Sequence, residues 1–136
     1  MVDWLTIPNV AAGAHAVALA GNAALTLWPG PEVSVVALAL VGLGYGLMSG
    51  ITAAAVAVYW RRALYGRVAG RLYLAWCAAA IILPIAAGRL FDLTQSYRTA
   101  VLIAGGANVL GILVALGLPS QRTARAGLAA ASVADG

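Results

Sequence analysis

Residues 33–60 run without one charged side chain, and they are one of four long apolar runs in a chain of 136 residues. A chain with runs of this kind has few folds open to it. A hydrocarbon core of about 30 Å is crossed by roughly 20 helical residues. The runs at about 9–28, 33–60, 70–91 and 98–118 each reach that length. They do not alternate polar with apolar residues, which argues for helices over strands. In lipid, only helices or closed barrels satisfy every backbone N–H and C=O. The expected fold is therefore all-α, a polytopic membrane protein with four transmembrane helices in residues 1–118 and a disordered cytoplasmic tail over 119–136.

Composition supports the same solvent. Hydrophobic residues make up 63% of the chain and charged ones 9%, with a mean hydropathy of +0.95. Soluble domains carry about 25% charged residues, so this chain has too little polar surface to be solvated by water. The net charge of +4 would suggest nucleic acid in a soluble protein. Here it fits the arginine-rich loops of a membrane protein, and no nucleic-acid partner is expected. The one cysteine, Cys77, allows no disulfide within the sequence. One His, one Cys and no carboxylate cluster make a metal site unexpected. No cofactor, catalytic nucleophile or acid–base pair is recognisable, so an enzyme is not expected.

The connections are short. "WPGPE" at 28–32 is a tight turn, "RRALYGR" at 61–67 a basic loop, and "DLTQSY" at 92–97 a polar loop. Arg61, Arg62, Arg67 and Arg71 surround the second connection, and Arg122 and Arg125 follow the last run. The first connection has only Glu32, and the third mixes Arg89, Asp92 and Arg98. The positive-inside rule then places the second loop and both termini in the cytoplasm. Trp4, Trp28, Tyr59, Trp60 and Tyr97 fall at span ends, where interfacial aromatics belong.

Within the spans, small and polar residues form stripes. Gly42, Gly46 and Gly50 repeat every four residues, which predicts a smooth groove for helix packing or sliding, with Gly44 beside it. Tyr45, Ser49 and Thr52 share another stripe of that helix. On the third span Tyr73, Trp76 and Ala80 line one side, and Pro84, which removes a backbone hydrogen bond, predicts a kink. These groups either line a solute cavity or pack while the hydroxyls bond their own helices. His15, Asn22 and Thr26 share one face of the first span. An intramembrane histidine is either a proton relay or a packing residue; the packing role is expected here, as is interhelical hydrogen bonding for Asn108.

The stretch "YGRVAGRLYLAWCAAAIILPIAAGRLFDLTQSYRTAVLIAG" at 65–105, preceded by "LVGLGYGLMSGITAAAVAVYW" at 40–60, resembles helices ten to twelve of a major facilitator superfamily transporter. The oxalate/formate antiporter-like and monocarboxylate-transporter-like branch is the nearest in flavour. The resemblance covers about residues 9–118 and implies that the four spans correspond to helices nine to twelve of a twelve-helix carrier. It implies that the second and third spans face a central cavity, which favours Tyr45, Ser49, Thr52, Tyr73 and Trp76 as solute-facing residues. Trp76 stands where the oxalate antiporters carry a lysine, so a monocarboxylate-like or other small organic solute is implied rather than oxalate. A bacterial inner-membrane location is also implied.

Two functions are therefore expected to compete. The first is a portion of a secondary active transporter working by alternating access, with the lipid bilayer and the missing N-terminal helices of the carrier as partners. No carboxylate lies mid-span, so proton coupling would depend on groups outside these residues. The second is a non-transporting four-helix accessory subunit of a larger membrane complex. A small multidrug exporter is disfavoured by the same lack of a mid-membrane acid.

Overall fold

The structure is a computed structural model that describes residues 6–120, 123–124 and 126–127. It consists of four long helices: α1 (Ile7–Leu27), α2 (Pro31–Tyr59), α3 (Tyr65–Thr94) and α4 (Arg98–Gly117), with a short 3-10 turn at Arg62–Leu64. All four are long and apolar enough to cross a membrane. Trp4, Arg122, Arg125 and most of the tail expected to be disordered lie outside the described residues. At the start of that tail, Ser120 caps a helical turn: its Oγ accepts from Thr123 N at 3.3 Å, and Ala124 N donates to its carbonyl at 3.0 Å.

Local chemistry sets the helix ends. The Thr6 hydroxyl accepts from Asn9 N, and Pro8 sits in the first turn, where its missing N–H is harmless. Pro29 and Gly30 break the chain after α1, and Pro31 starts α2 with Glu32 in its first turn, near the positive end of the helix dipole. α3 ends where Gln95 adopts a left-handed φ of 52° and its N–H caps the Phe91 carbonyl at 2.7 Å.

Two boundaries differ from the sequence expectation. The basic connection is shorter than "RRALYGR": α3 begins at Tyr65, so Arg67 joins Arg71 on its first two turns while Arg61 and Arg62 remain in the connection. Lipid-facing helices commonly run past the hydrocarbon core, and arginine is a good helix former. For the same reason Asp92 belongs to the last turn of α3 and the polar loop shrinks to 95–97. At 29 and 30 residues, α2 and α3 are about 44 Å long, well beyond a core of about 30 Å. α3 remains helical through Pro84.

α1 is the centre of the packing, with α2 against one side and α4 against another. Its buried residues are Ile7, Pro8, Ala11, Ala14, Ala18, Gly21 and Asn22, almost all small. Close approach to α2 depends on one glycine from each helix. A Cβ on Gly21 would lie 2.5 Å from the Ala37 carbonyl oxygen, and one on Gly44 would lie 2.6 Å from that of Ala14. Against α4, a Cβ on Gly111 would lie 2.6 Å from the His15 ring. Tyr59 ties the far end of α2 to the end of α4 by donating its hydroxyl to the Pro119 carbonyl at 2.8 Å.

α3 stands apart, with none of its residues buried. Leu74, Ile81 and Leu83 are 72%, 64% and 64% exposed, and α2 and α4 carry similar outer surfaces. Apolar area on this scale is stable only against lipid or further helices.

The packing makes an opposite-sign prediction. Gly44→Ala puts a methyl against a backbone carbonyl and is expected to destabilise by about 1–3 kcal/mol. Gly46→Ala, whose Cβ meets nothing within 4 Å, is expected to be neutral or to stabilise by up to about 1 kcal/mol through helix propensity. Reversible unfolding of the two variants in mixed micelles by SDS titration checks both signs.

Candidate functional site

Side chains of two helices meet on the outer side of α2. Tyr45 of α2 lies against Trp76 of α3, ring centroids 5.6 Å apart and tilted by 34°. Tyr73, one turn earlier on α3, meets the same indole at 6.0 Å and 72°, an edge-to-face arrangement. The positions follow from helical periodicity: residues three apart share a face of α3. This brings together three of the five residues expected to face a solute.

The other two are placed differently. Thr52 Oγ1 donates to the Met48 carbonyl at 2.7 Å, so its hydroxyl is occupied within its own helix. Ser49 lies half-buried one turn beyond Tyr45. The aromatic trio remains open: Tyr45 is 65% exposed and Tyr73 is 47% exposed. Among the described residues nothing hydrogen-bonds the two phenol hydroxyls or the Trp76 indole N–H. Three rigid rings with three polar handles therefore face outward from the α2–α3 seam.

Gly42, Gly46 and Gly50 border this face. A Cβ at any of them would meet nothing within 4 Å. Successive helical residues are about 100° apart, so Gly44, two residues on, points nearly opposite to this stripe. α1 occupies the Gly44 side, and the regular stripe is left uncovered by the described residues. The four arginines at the other end of the seam, Arg61, Arg62, Arg67 and Arg71, are all exposed. Pro84 is exposed on α3, two turns beyond Trp76.

A second polar group lies inside the bundle. His15 Nδ1 is 3.0 Å from Asn108 Oδ1, and Asn108 Nδ2 donates to the Ala104 carbonyl at 3.0 Å. An amide oxygen only accepts, so Nδ1 must carry the proton. The interhelical role expected for Asn108 is thus met by a particular partner across the α1–α4 contact. The pairing of a histidine with an asparagine 93 residues away has no local sequence signature. Gly111 was not singled out by any pattern, yet it makes the room for the imidazole.

Comparison with known protein families, curated proteins and solved structures finds no match for this chain.

A double-mutant cycle of His15→Ala and Asn108→Ala is expected to give a coupling energy of about 0.6–1.7 kcal/mol, the range for hydrogen bonds between helices in membranes. Additivity of the two single substitutions would show that the pair does not couple α1 to α4.

Proposed function

We propose that the chain is part of a secondary active transporter, with the α2–α3 seam contributing one wall of its solute path. The observation that carries this reading is the open aromatic trio of Tyr45, Tyr73 and Trp76, whose three polar handles have no partner among the described residues. Tyrosine and tryptophan combine an apolar body with a hydrogen-bonding tip, the chemistry that orients a small organic solute in a largely apolar pocket. Bare phenol and indole donors deep in hydrocarbon are unfavourable, so the face suits a polar cavity better than bulk lipid.

The distribution of packing supports the same reading. In the carrier fold that the sequence resembles, the second and third spans border the cavity and the first and fourth are peripheral. α1 and α4 pack on each other through small residues, whereas α3 has no buried residue. α3 and the Gly42, Gly46 and Gly50 stripe then receive helices supplied from outside these residues. Such a carrier would work by rocking about a midplane site. A monocarboxylate-like anion is the solute class we favour, because aromatic donors can bind one carboxylate without a fixed positive charge. The arginines at 61, 62, 67 and 71 mark the cytoplasmic side, in a bacterial inner membrane, with both ends of the four-helix unit on that side.

The alternative, a non-transporting accessory subunit, draws on the uncovered glycine stripe, which suits docking against another membrane protein. The two readings differ in what the aromatics do. In proteoliposomes containing the chain with its completing helices, Trp76→Ala and Tyr45→Ala are expected to lower organic-anion uptake at least tenfold, through loss of contacts worth about 1.4 kcal/mol or more at the transition step. Uptake that is unaffected by both, in an assembly that still forms, would favour the accessory role. In a Cys77→Ser background, Arg62→Cys is expected to label only from the cytoplasmic side and Ser96→Cys only from the opposite side.

A further inference from the structure

The end of the bundle that carries the turns at 28–30 and 95–97 holds two adjoining hollows between α1 and α4, away from the aromatic face. The inner one, about 310 Å³, runs between the Leu19–Leu27 side of α1 and Gly105 and Gly106 of α4. Val101 and Leu102 line the outer part of its α4 wall, and the inner part is bare glycine: a Cβ at Gly106 would meet nothing within 4 Å, and one at Gly105 only Leu19 Cδ1 at 3.8 Å. The outer hollow, about 440 Å³, is bordered by Ser96, Tyr97 and Arg98 and shares Thr26 and Val101 with the inner one. Together they form a polar mouth that leads into an apolar slot.

Two features of this channel ask for a ligand. Asn22 lines the slot at 7% exposure, and its side-chain amide has no hydrogen-bond partner among the described residues. Thr26 does not help it, since that hydroxyl donates to the Asn22 backbone carbonyl at 2.9 Å. No side-chain nitrogen or oxygen among the described residues is both fully buried and unpartnered, so the Asn22 amide opens onto the slot, where hydrocarbon alone would leave it unsatisfied. At the mouth, Arg98 opens α4 and makes no ion pair among the described residues. Ser96 Oγ takes the Arg98 N–H at 3.2 Å and the Tyr97 carbonyl takes that of Val101 at 3.0 Å. The N–H groups of Thr99 and Ala100 are left for an outside acceptor at the positive end of the helix. No carboxylate lines either hollow.

The order of these groups along the membrane normal is what selects the ligand. Arg98 lies at the helix end, where the headgroups are. Asn22 lies five residues before the end of α1, about 7–8 Å deeper. The glycine-walled slot continues inward from there. Phosphate, ester carbonyl and acyl chain follow one another in that sequence in a glycerophospholipid. We infer that this channel binds one anionic glycerophospholipid, its phosphate on Arg98 and the first N–H groups of α4, an ester carbonyl on the Asn22 amide, and an acyl chain along Gly105 and Gly106. The site is independent of the transport reading, since it needs only that the helices lie in a membrane.

The test uses the full chain reconstituted in nanodiscs of phosphatidylcholine with phosphatidylglycerol, re-extracted into mild detergent and weighed by native mass spectrometry. One retained phosphatidylglycerol per chain is expected, in preference to phosphatidylcholine. Arg98→Gln is expected to reduce that preference about fivefold, the effect of one interfacial cation. Gly106→Leu fills the slot from a position that touches nothing, so it is expected to keep the helical content and melting of the parent while losing the lipid of either headgroup. Asn22→Leu is expected to weaken retention of both headgroups alike. Equal retention of the two lipids by the parent chain overturns the inference, as does full retention by Gly106→Leu. Displacement of the lipid by millimolar inorganic phosphate also overturns it, because the slot would then contribute nothing. A dimer held through Gly106 in place of lipid would assign the groove to a second copy of the chain and overturn it as well.

Discussion

The contact on which the rest of this structure depends is the backbone approach of α1 to α2 at Gly21 and Gly44. Lipid chains are as apolar as leucine, so no hydrophobic force drives one membrane helix onto another. What holds them is dispersion between atoms close enough to gain it, about 0.1–0.2 kcal/mol for each good pair. Alanines at 14, 18 and 37, almost fully buried, and the two glycines let the helix axes come near enough to sum many such pairs. Among the described residues, α1 is consequently the one helix with a continuous buried side. α4 repeats the device on another face of α1, with Gly111 yielding to the His15 ring.

Much of this architecture was legible in the sequence, for a physical reason. The solvent of the bilayer imposes length, apolarity and helicity on each span, and those demands appear directly in residues 9–28, 33–60, 70–91 and 98–118. Prolines at 29 and 31 and the Gln95 region marked the turns. Interhelical contact was harder to read. The regular spacing of Gly42, Gly46 and Gly50 pointed to a groove, but small residues report only that a partner can approach, not which face it chooses. The face that α1 takes contains a single glycine of α2, Gly44, and single glycines have no periodicity to detect. The aromatic cluster was legible because Tyr45, Tyr73 and Trp76 are the large amphipathic residues within their spans. Asn22 was seen as part of the His15 and Thr26 stripe, but its isolation from any partner is a property of the packed helices. The extension of α3 beyond 70–91, back to Tyr65 and Arg67 and on to Asp92 and Thr94, is not legible from hydropathy, which marks only the part of a helix that lies in hydrocarbon.

The polar groups within the spans sort into three situations, and the sorting separates the two sides of the molecule. His15 and Asn108 satisfy each other between packed helices. Thr26, Ser34, Thr52 and Thr94 return their hydroxyls to carbonyls four residues back, which neutralises them without a neighbour. Tyr45, Tyr73, Trp76 and Asn22 have neither solution among the described residues. The three rings are too long and rigid to reach their own backbone, and the Asn22 amide does not turn back to its helix as that of Asn108 does, so their partners must come from elsewhere.

That requirement differs between the two open places. Around Tyr45, Tyr73 and Trp76 the surface is broad, bordered by the uncovered glycine stripe, and several donors converge on it. A partner there must be large enough to cover a helix face or must be water and solute in a lined cavity. Around Asn22 the opening is narrow and floored by glycine, and a single amide is to be met at a depth where lipid esters lie. One chain thus presents a face for something that completes or passes through it, and a slot for something that surrounds it. The difference follows from residue size alone: rings project beyond the backbone and hold partners at a distance, whereas glycines admit a chain to the helix surface.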